Sequence, residues 1–236
     1  MIAENFIQVK RRIIAAAKRA GRDQADVRIV AVSKGFSTVL VTEGIQAGAQ
    51  VFGENKVQEA RAKIESLGHD VIEWHFIGHL QKNKVKFIFD LFDLIHSVDS
   101  LALAVAINEK AEILGSCMPI LLQVNVSGEA SKFGIDPKNV MDVIREVAPL
   151  KGLKVRGLMT ITPYNSNPEK SRPYYVRLRY LRDTYSRTAV PGVSLDELSM
   201  GMSNDYEVAV EEGATLVRVG TALFGPRPSK RRGTIG

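Results

Sequence analysis

The chain of 236 residues has a single cysteine, Cys117, so no intrachain disulfide can form. That usage fits a reducing compartment, and a cytoplasmic location is expected. Placed in Gly115-Ser116-Cys117-Met118, where the chain enters an apolar strand, the cysteine is expected to be a small buried hydrophobe and not a functional thiol. No apolar run approaches the ~18 residues that cross a bilayer. The opening Met1-Ile2-Ala3-Glu4-Asn5 lacks a signal-peptide pattern. Of the four histidines, only His75 and His79 lie close together, on a stretch that reads as strand, and no cysteine or carboxylate completes a ligand set. A metal site is therefore not expected. Neither G-x-G-x-x-G nor a Walker pattern occurs, so nucleotide binding has no support. No Pro/Gly/Ser-rich linker divides the chain, and one domain is expected.

What is present is ordinary for a globular protein: 45% apolar and 25% charged residues. The net charge of +6 is concentrated at one end. Arg227, Lys230, Arg231 and Arg232 fall in the last eleven residues, which hold no acid, leaving +2 for the body. Residues 226–236 read as a solvated, disordered tail. No recognition module accompanies it, so specific nucleic-acid binding is not expected, and neither is a membrane partner.

Apolar Phe6, Val9, Ile13 and Ala17 mark one face of a helix over about residues 3–20, stopped by Gly21. Eight short β runs follow, at about 27–34, 48–55, 73–79, 93–99, 119–126, 153–160, 195–201 and 215–221. Helical patterns separate them, the longest from about 168 to 188. This alternation implies parallel βα units, and the length is close to the roughly 250 residues of one (β/α)₈ barrel. The expected fold is therefore a single α/β TIM barrel spanning residues 1–225 with an extra N-terminal helix. An open doubly wound sheet is the rival.

In a closed barrel the first and last strands are neighbours. Lys34, ending Val27–Lys34, and Arg218, in Leu216-Val217-Arg218-Val219-Gly220-Thr221, would then face one site. A lysine in a dry pocket has a lowered pKa and becomes a nucleophile for aldehydes; the bland alternative is a surface lysine. An arginine in an apolar strand needs an acceptor, either an acidic neighbour or a heterocyclic nitrogen. Ser199-Met200-Gly201-Met202-Ser203 precedes a helical pattern over Asn204–Glu212, with Ser203 as its candidate N-cap, and Gly220-Thr221 ends the last strand. Loops after strands 7 and 8 commonly bind phosphate in barrels, although ordinary turn and cap chemistry explains the same residues. Aldehyde acceptor, phosphate cradle and ring-nitrogen donor together match the three handles of pyridoxal 5′-phosphate (PLP).

Longer stretches carry a resemblance. They include Ala31-Val32-Ser33-Lys34, Phe52-Gly53-Glu54-Asn55-Lys56-Val57-Gln58-Glu59, Trp74-His75-Phe76-Ile77-Gly78-His79, His96-Ser97-Val98-Asp99, Lys132-Phe133-Gly134, Leu198-Ser199-Met200-Gly201-Met202-Ser203 and Val217-Arg218-Val219-Gly220-Thr221. With these, the chain resembles the YggS/PROSC family of PLP homeostasis proteins over about residues 25–225. The resemblance implies a barrel like the N-terminal domain of alanine racemases. It implies that Lys34 holds PLP as a Schiff base, that Arg218 faces the pyridine nitrogen, that Asn55 lies near the cofactor, and that Ser199, Met200, Gly201, Ser203, Gly220 and Thr221 surround the phosphate. It also implies a carrier that buffers PLP or delivers it to PLP-dependent apoenzymes. No catalytic residue is assigned, and turnover is not expected. Arg218 supports that reading, because it donates to the ring without protonating it, and the chain ends soon after Gly225, leaving no room for the C-terminal β-domain that supplies the racemases' second base. A small amino-acid racemase is the alternative.

Overall fold

The computed structural model describes residues 1–69, 72–129, 132–188 and 190–227. Eight strands, β1 Arg28–Val32, β2 Val51–Glu54, β3 Glu73–Phe76, β4 Leu94–Val98, β5 Met118–Gln123, β6 Leu153–Met159, β7 Val193–Met202 and β8 Leu216–Val219, pair in sequence order. β8 pairs with β1 in parallel, through Val30 opposite Arg218, and so closes the ring. The closed barrel removes the open-sheet alternative.

Around it run α1 Ile2–Arg19, α2 Thr38–Gln46, α3 Val57–Leu67, α4 Leu101–Leu114, α5 Val140–Val147, α6 Arg172–Ser186, α7 Tyr206–Glu211 and α8 Thr221–Phe224. Between β3 and β4 the connection is a 3₁₀ segment, Lys82–Phe87, of which only Val85 is buried. The expected 168–188 helix divides into a 3₁₀ turn, Pro168–Ser171, and α6. Pro173 sits in the first turn of α6, where its missing N–H has no intrahelical partner to lose.

Strand alternation divides the core into two. Val30, Val51, Leu94, Leu121, Met159 and Leu216 form a small cluster inside the barrel. Ala31, Phe52, Trp74, Ile95, Val217 and Val219 belong to the larger cluster between strands and helices. The extra helix α1 buries Phe6, Val9, Ile13 and Ala17, the face expected from sequence. It is tied to the C-terminal elements by Arg12 and Arg19 on Glu207, Arg19 on Glu211, and Asn5 Nδ2 donating to the Leu223 carbonyl at 2.8 Å.

Two expectations change. Cys117 is exposed, because burial begins only at Met118, after the left-handed cap Gly115 has ended α4. The first strand also stops earlier than its apolar run suggests; β1 ends at Val32, and Lys34 stands in the turn that follows. Of the 226–236 tail, residues 228–236 lie outside the described residues. Arg227 returns to the barrel mouth, where a Cβ on Gly35 would sit 3.6 Å from its Cδ.

Candidate functional site

Lys34 is half-buried at the C-terminal mouth. Its amine is pushed below the ordinary lysine value, first by burial, then by the cations Arg227 and Arg218; Glu54 and Glu59 oppose the shift. The neutral amine, the nucleophilic form, is thereby favoured.

Beneath Lys34 lies a polar knot. Glu54, fully buried at the end of β2, accepts from Ser33 Oγ at 2.6 Å and from Lys63 Nζ at 2.6 Å through Oε1. Lys63 Nζ also donates to the Ser33 carbonyl at 2.7 Å and to Glu59 Oε1 at 2.9 Å. Glu59 in turn accepts from the Gly35 N–H, fixing the turn that carries Lys34. Burial raises the Glu54 carboxyl pKa against the pull of Lys63, and Glu54 Oε2 has no partner among the described residues.

Arg218 is buried on the inner face of β8, as alternation predicts, with Val217 and Val219 facing the helices. Among the described residues it forms no ion pair. Its Nη2 donates to the Thr160 carbonyl at 2.7 Å and its Nη1 to Ser199 Oγ at 2.5 Å. Burial lowers its pKa to about 10, so it stays protonated at neutral pH. Below Ser199 the interior continues with His96 Nδ1 at 2.8 Å, His75 Nδ1 at 2.8 Å from His96 Nε2, Glu73 Oε1 at 2.8 Å from His75 Nε2, and Arg28 Nη1 at 2.7 Å from Glu73 Oε2.

The expected phosphate residues divide between several environments. Ser199 is wholly buried and its hydroxyl is engaged by Arg218 and His96, so it supports the arginine and does not open toward the mouth. Met200 faces outward, its side chain in the layer between barrel and helices. Gly201 has φ +89°, and a Cβ there would lie 2.5 Å from Ala209 Cβ, so glycine permits the close approach of β7 to α7. Ser203 does not cap α7. Asp205 holds that position and accepts from Met202 N–H and Ser171 Oγ, which puts an acid where an anion was expected. Ser203 Oγ accepts instead from the N–H groups of Gly220 at 3.0 Å and Ala222 at 3.3 Å, beside exposed Thr221. Asn55 is half-buried just beyond β2, where a Cβ on Gly78 would fall 2.3 Å from its carbonyl oxygen. Lys34, Arg218, Ser203, Gly220 and Thr221 thus lie on or just past the adjoining strands β1, β7 and β8.

Sequence reading missed Glu54, Lys63, Glu73, His75 and His96. A signal for the last three existed: each shares strand parity with an inward apolar neighbour, His75 opposite Leu94 and Glu73 opposite Val51.

The profile of the family described as "Alanine racemase, N-terminal domain" matches residues 7–228. A protein of Aquifex aeolicus named pyridoxal phosphate homeostasis protein is 45% identical over 95% of this chain and 97% of its own length. Among solved structures, an unknown protein from Bifidobacterium adolescentis superposes with a TM-score of 0.90 at 37% identity, over 94% of each chain. PipY of Synechococcus elongatus, solved with PLP bound, superposes with a TM-score of 0.81 at 36% identity, over 95% of this chain and 100% of PipY. On sequence, barrel topology and full-length coverage alike, this chain belongs to the alanine racemase N-terminal domain family and, within it, to the pyridoxal phosphate homeostasis proteins.

Proposed function

We propose that this chain binds pyridoxal 5′-phosphate and serves in PLP homeostasis, holding the cofactor for PLP-dependent apoenzymes in the cytoplasm without robust turnover of its own. The observation that carries the reading is the donor set at one mouth: a lysine amine with a lowered pKa beside a buried arginine that has no carboxylate partner among the described residues. The names of the relatives support it, as does the PLP in PipY. No helix among the described residues is long and apolar enough to cross a membrane.

When bound, PLP supplies an aldehyde that captures amines and a ring that withdraws electrons from them. Lys34 Nζ would hold the aldehyde carbon. Arg218 would offer N–H groups to the ring nitrogen, and because it stays protonated it would not pass its proton to the ring. That arrangement favours retention over carbanion chemistry. Gly220 and Ala222 already aim two N–H groups at one oxygen, Ser203 Oγ. A phosphate oxygen is an acceptor of the same kind and would replace Ser203 Oγ on these amides, which with the freed Ser203 hydroxyl and that of Thr221 would form the cradle. Asn55 lies at the rim.

Titrating the apoprotein with PLP should give saturable one-to-one binding with an absorbance band above that of free protein. Racemization of alanine and other amino acids should be absent or very slow. A turnover near roughly 10 s⁻¹, the enzyme median, would establish a racemase instead. The cradle has its own test. Ser203→Ala with Thr221→Val should weaken PLP about tenfold to a hundredfold, from charge-assisted bonds lost to phosphate, while pyridoxal, which lacks the phosphate, is little changed. Equal losses for both ligands would assign these hydroxyls to the fold alone.

A further inference from the structure

The polar run inside the barrel has a direction. Glu73 is held ionised, its pKa lowered to about 2 chiefly by the hydrogen bond from His75, so its carboxylate only accepts. His75 Nε2, at 2.8 Å, must therefore carry the proton. Its Nδ1 accepts from His96 Nε2 at 2.8 Å, the order that leaves the Ser199 hydroxyl hydrogen an acceptor. His96 Nδ1 then accepts from the Ser199 hydroxyl at 2.8 Å. The Ser199 oxygen is left to accept from Arg218 Nη1. Every link has one donor and one acceptor, and all point from Arg218 toward Glu73, where Arg28 closes the run at the solvent-facing end of the strands. An extra proton on either imidazole breaks this order. It would leave the Ser199 hydroxyl hydrogen without an acceptor in the run, and it would put a cation in the barrel between Arg218 and Arg28.

We propose that Glu73, His75, His96 and Ser199 form a one-way hydrogen-bond relay through the barrel interior that positions the Arg218 guanidinium from below. Five strands take part: β1 supplies Arg28, β3 Glu73 and His75, β4 His96, β7 Ser199 and β8 Arg218. Thr160 at the end of β6 fixes the second guanidinium nitrogen. With Nη1 and Nη2 each tied by one hydrogen bond, the remaining N–H groups of Arg218 keep one orientation toward the mouth. The charged groups around the two imidazoles are Glu73, Arg28, Arg218 and, 3.8 Å from Arg28 Nη2, Glu197. Burial above all, and the cations Arg218 and Arg28, hold His96 well below the ordinary histidine value, in keeping with a neutral ring. A role in ligand binding rests on the reading of Arg218 as a donor to the PLP ring; the relay itself does not.

Long-range ¹H–¹⁵N correlation spectra of the apoprotein, labelled in its histidines, test the relay without any cofactor. His75 and His96 should both be Nε2–H tautomers, and His96 should stay neutral between pH 5.5 and 8. Ser199→Ala should shift the His96 Nδ1 resonance and, one link further, that of His75; Ser199→Thr, which keeps the hydroxyl, should restore both. A His96 that titrates in that range, an Nδ1–H tautomer at either ring, or an unmoved His96 in Ser199→Ala would overturn the relay. In the holoprotein, Ser199→Ala should weaken PLP and pyridoxal alike by about two- to tenfold, the worth of one hydrogen bond, and shift the absorbance maximum. A loss confined to PLP would place Ser199 on the phosphate and remove it from the relay. Wild-type protein that fails to bind PLP would sink the proposed function, while the imidazole spectra still decide the relay.

Discussion

Lys34→Ala should lose all of the borohydride-stable pyridoxyl label that wild-type protein acquires with PLP. Peptide mapping of reduced wild-type protein should find that label on Lys34. The residue is singled out by environment: burial and the neighbouring Arg227 and Arg218 lower its pKa below the ordinary 10.5. The pH dependence follows. The neutral amine increases as pH rises toward the Lys34 pKa and is constant above it, so capture should level off at a lower pH than for a solvent-exposed lysine. Noncovalent PLP binding should survive in Lys34→Ala, because Arg218 and the amides at Gly220 and Ala222 remain. Label recovered mainly on another lysine would remove Lys34 from the site, and with it the observation on which the function rests.

The second large effect is on stability. Lys63→Met should cost about 3–5 kcal/mol, the usual penalty for stranding a buried charge, out of roughly 5–15 kcal/mol for a whole domain. Lys63 and Glu54 are both buried, 2.6 Å apart, and removing the ammonium leaves Glu54, Glu59 and the Ser33 carbonyl without their shared donor. The double variant Glu54→Met/Lys63→Met should recover more than half of the loss, since a well-packed apolar pair needs no desolvation of charge. The sign with pH is fixed by Glu54. Its folded pKa is already raised by burial and rises further without Lys63, so above the ordinary 4.5 the folded state holds a proton that the unfolded chain releases. The deficit of Lys63→Met should therefore be larger at pH 8 than at pH 5. Urea midpoints at the two pH values measure this. A single variant costing under about 1 kcal/mol would show that the pair is solvated and contributes as a surface bridge does.

Much of the site was legible because covalent order and strand alternation already constrain it. Lys34 follows an apolar run, and Arg218 sits between Val217 and Val219; once the ring closes, β1 and β8 must be neighbours. Other roles were not legible, because they depend on which atoms meet across strands far apart in sequence. Ser199 looked like part of a phosphate loop, yet β7 runs on to Met202 and turns its hydroxyl onto His96, 103 residues earlier. Ser203 looked like a helix cap, but the N-cap is Asp205, and the serine faces Gly220 instead. Cys117 looked buried from its apolar neighbours, but the strand begins one residue later.

By itself, the sequence determined the alternation of eight strands with helices, the buried face of α1, and the lysine and arginine that share the mouth. Each of these is written in a local period or in chain order, and local sterics and hydrophobic burial read both directly. Only the tertiary structure decided which polar groups are already satisfied and which remain available. Hydrogen-bond partners such as Ser199 and His96, or Lys63 and Glu54, are chosen by distance and burial after the barrel closes, and a buried donor or acceptor takes whatever partner the closed ring brings within reach.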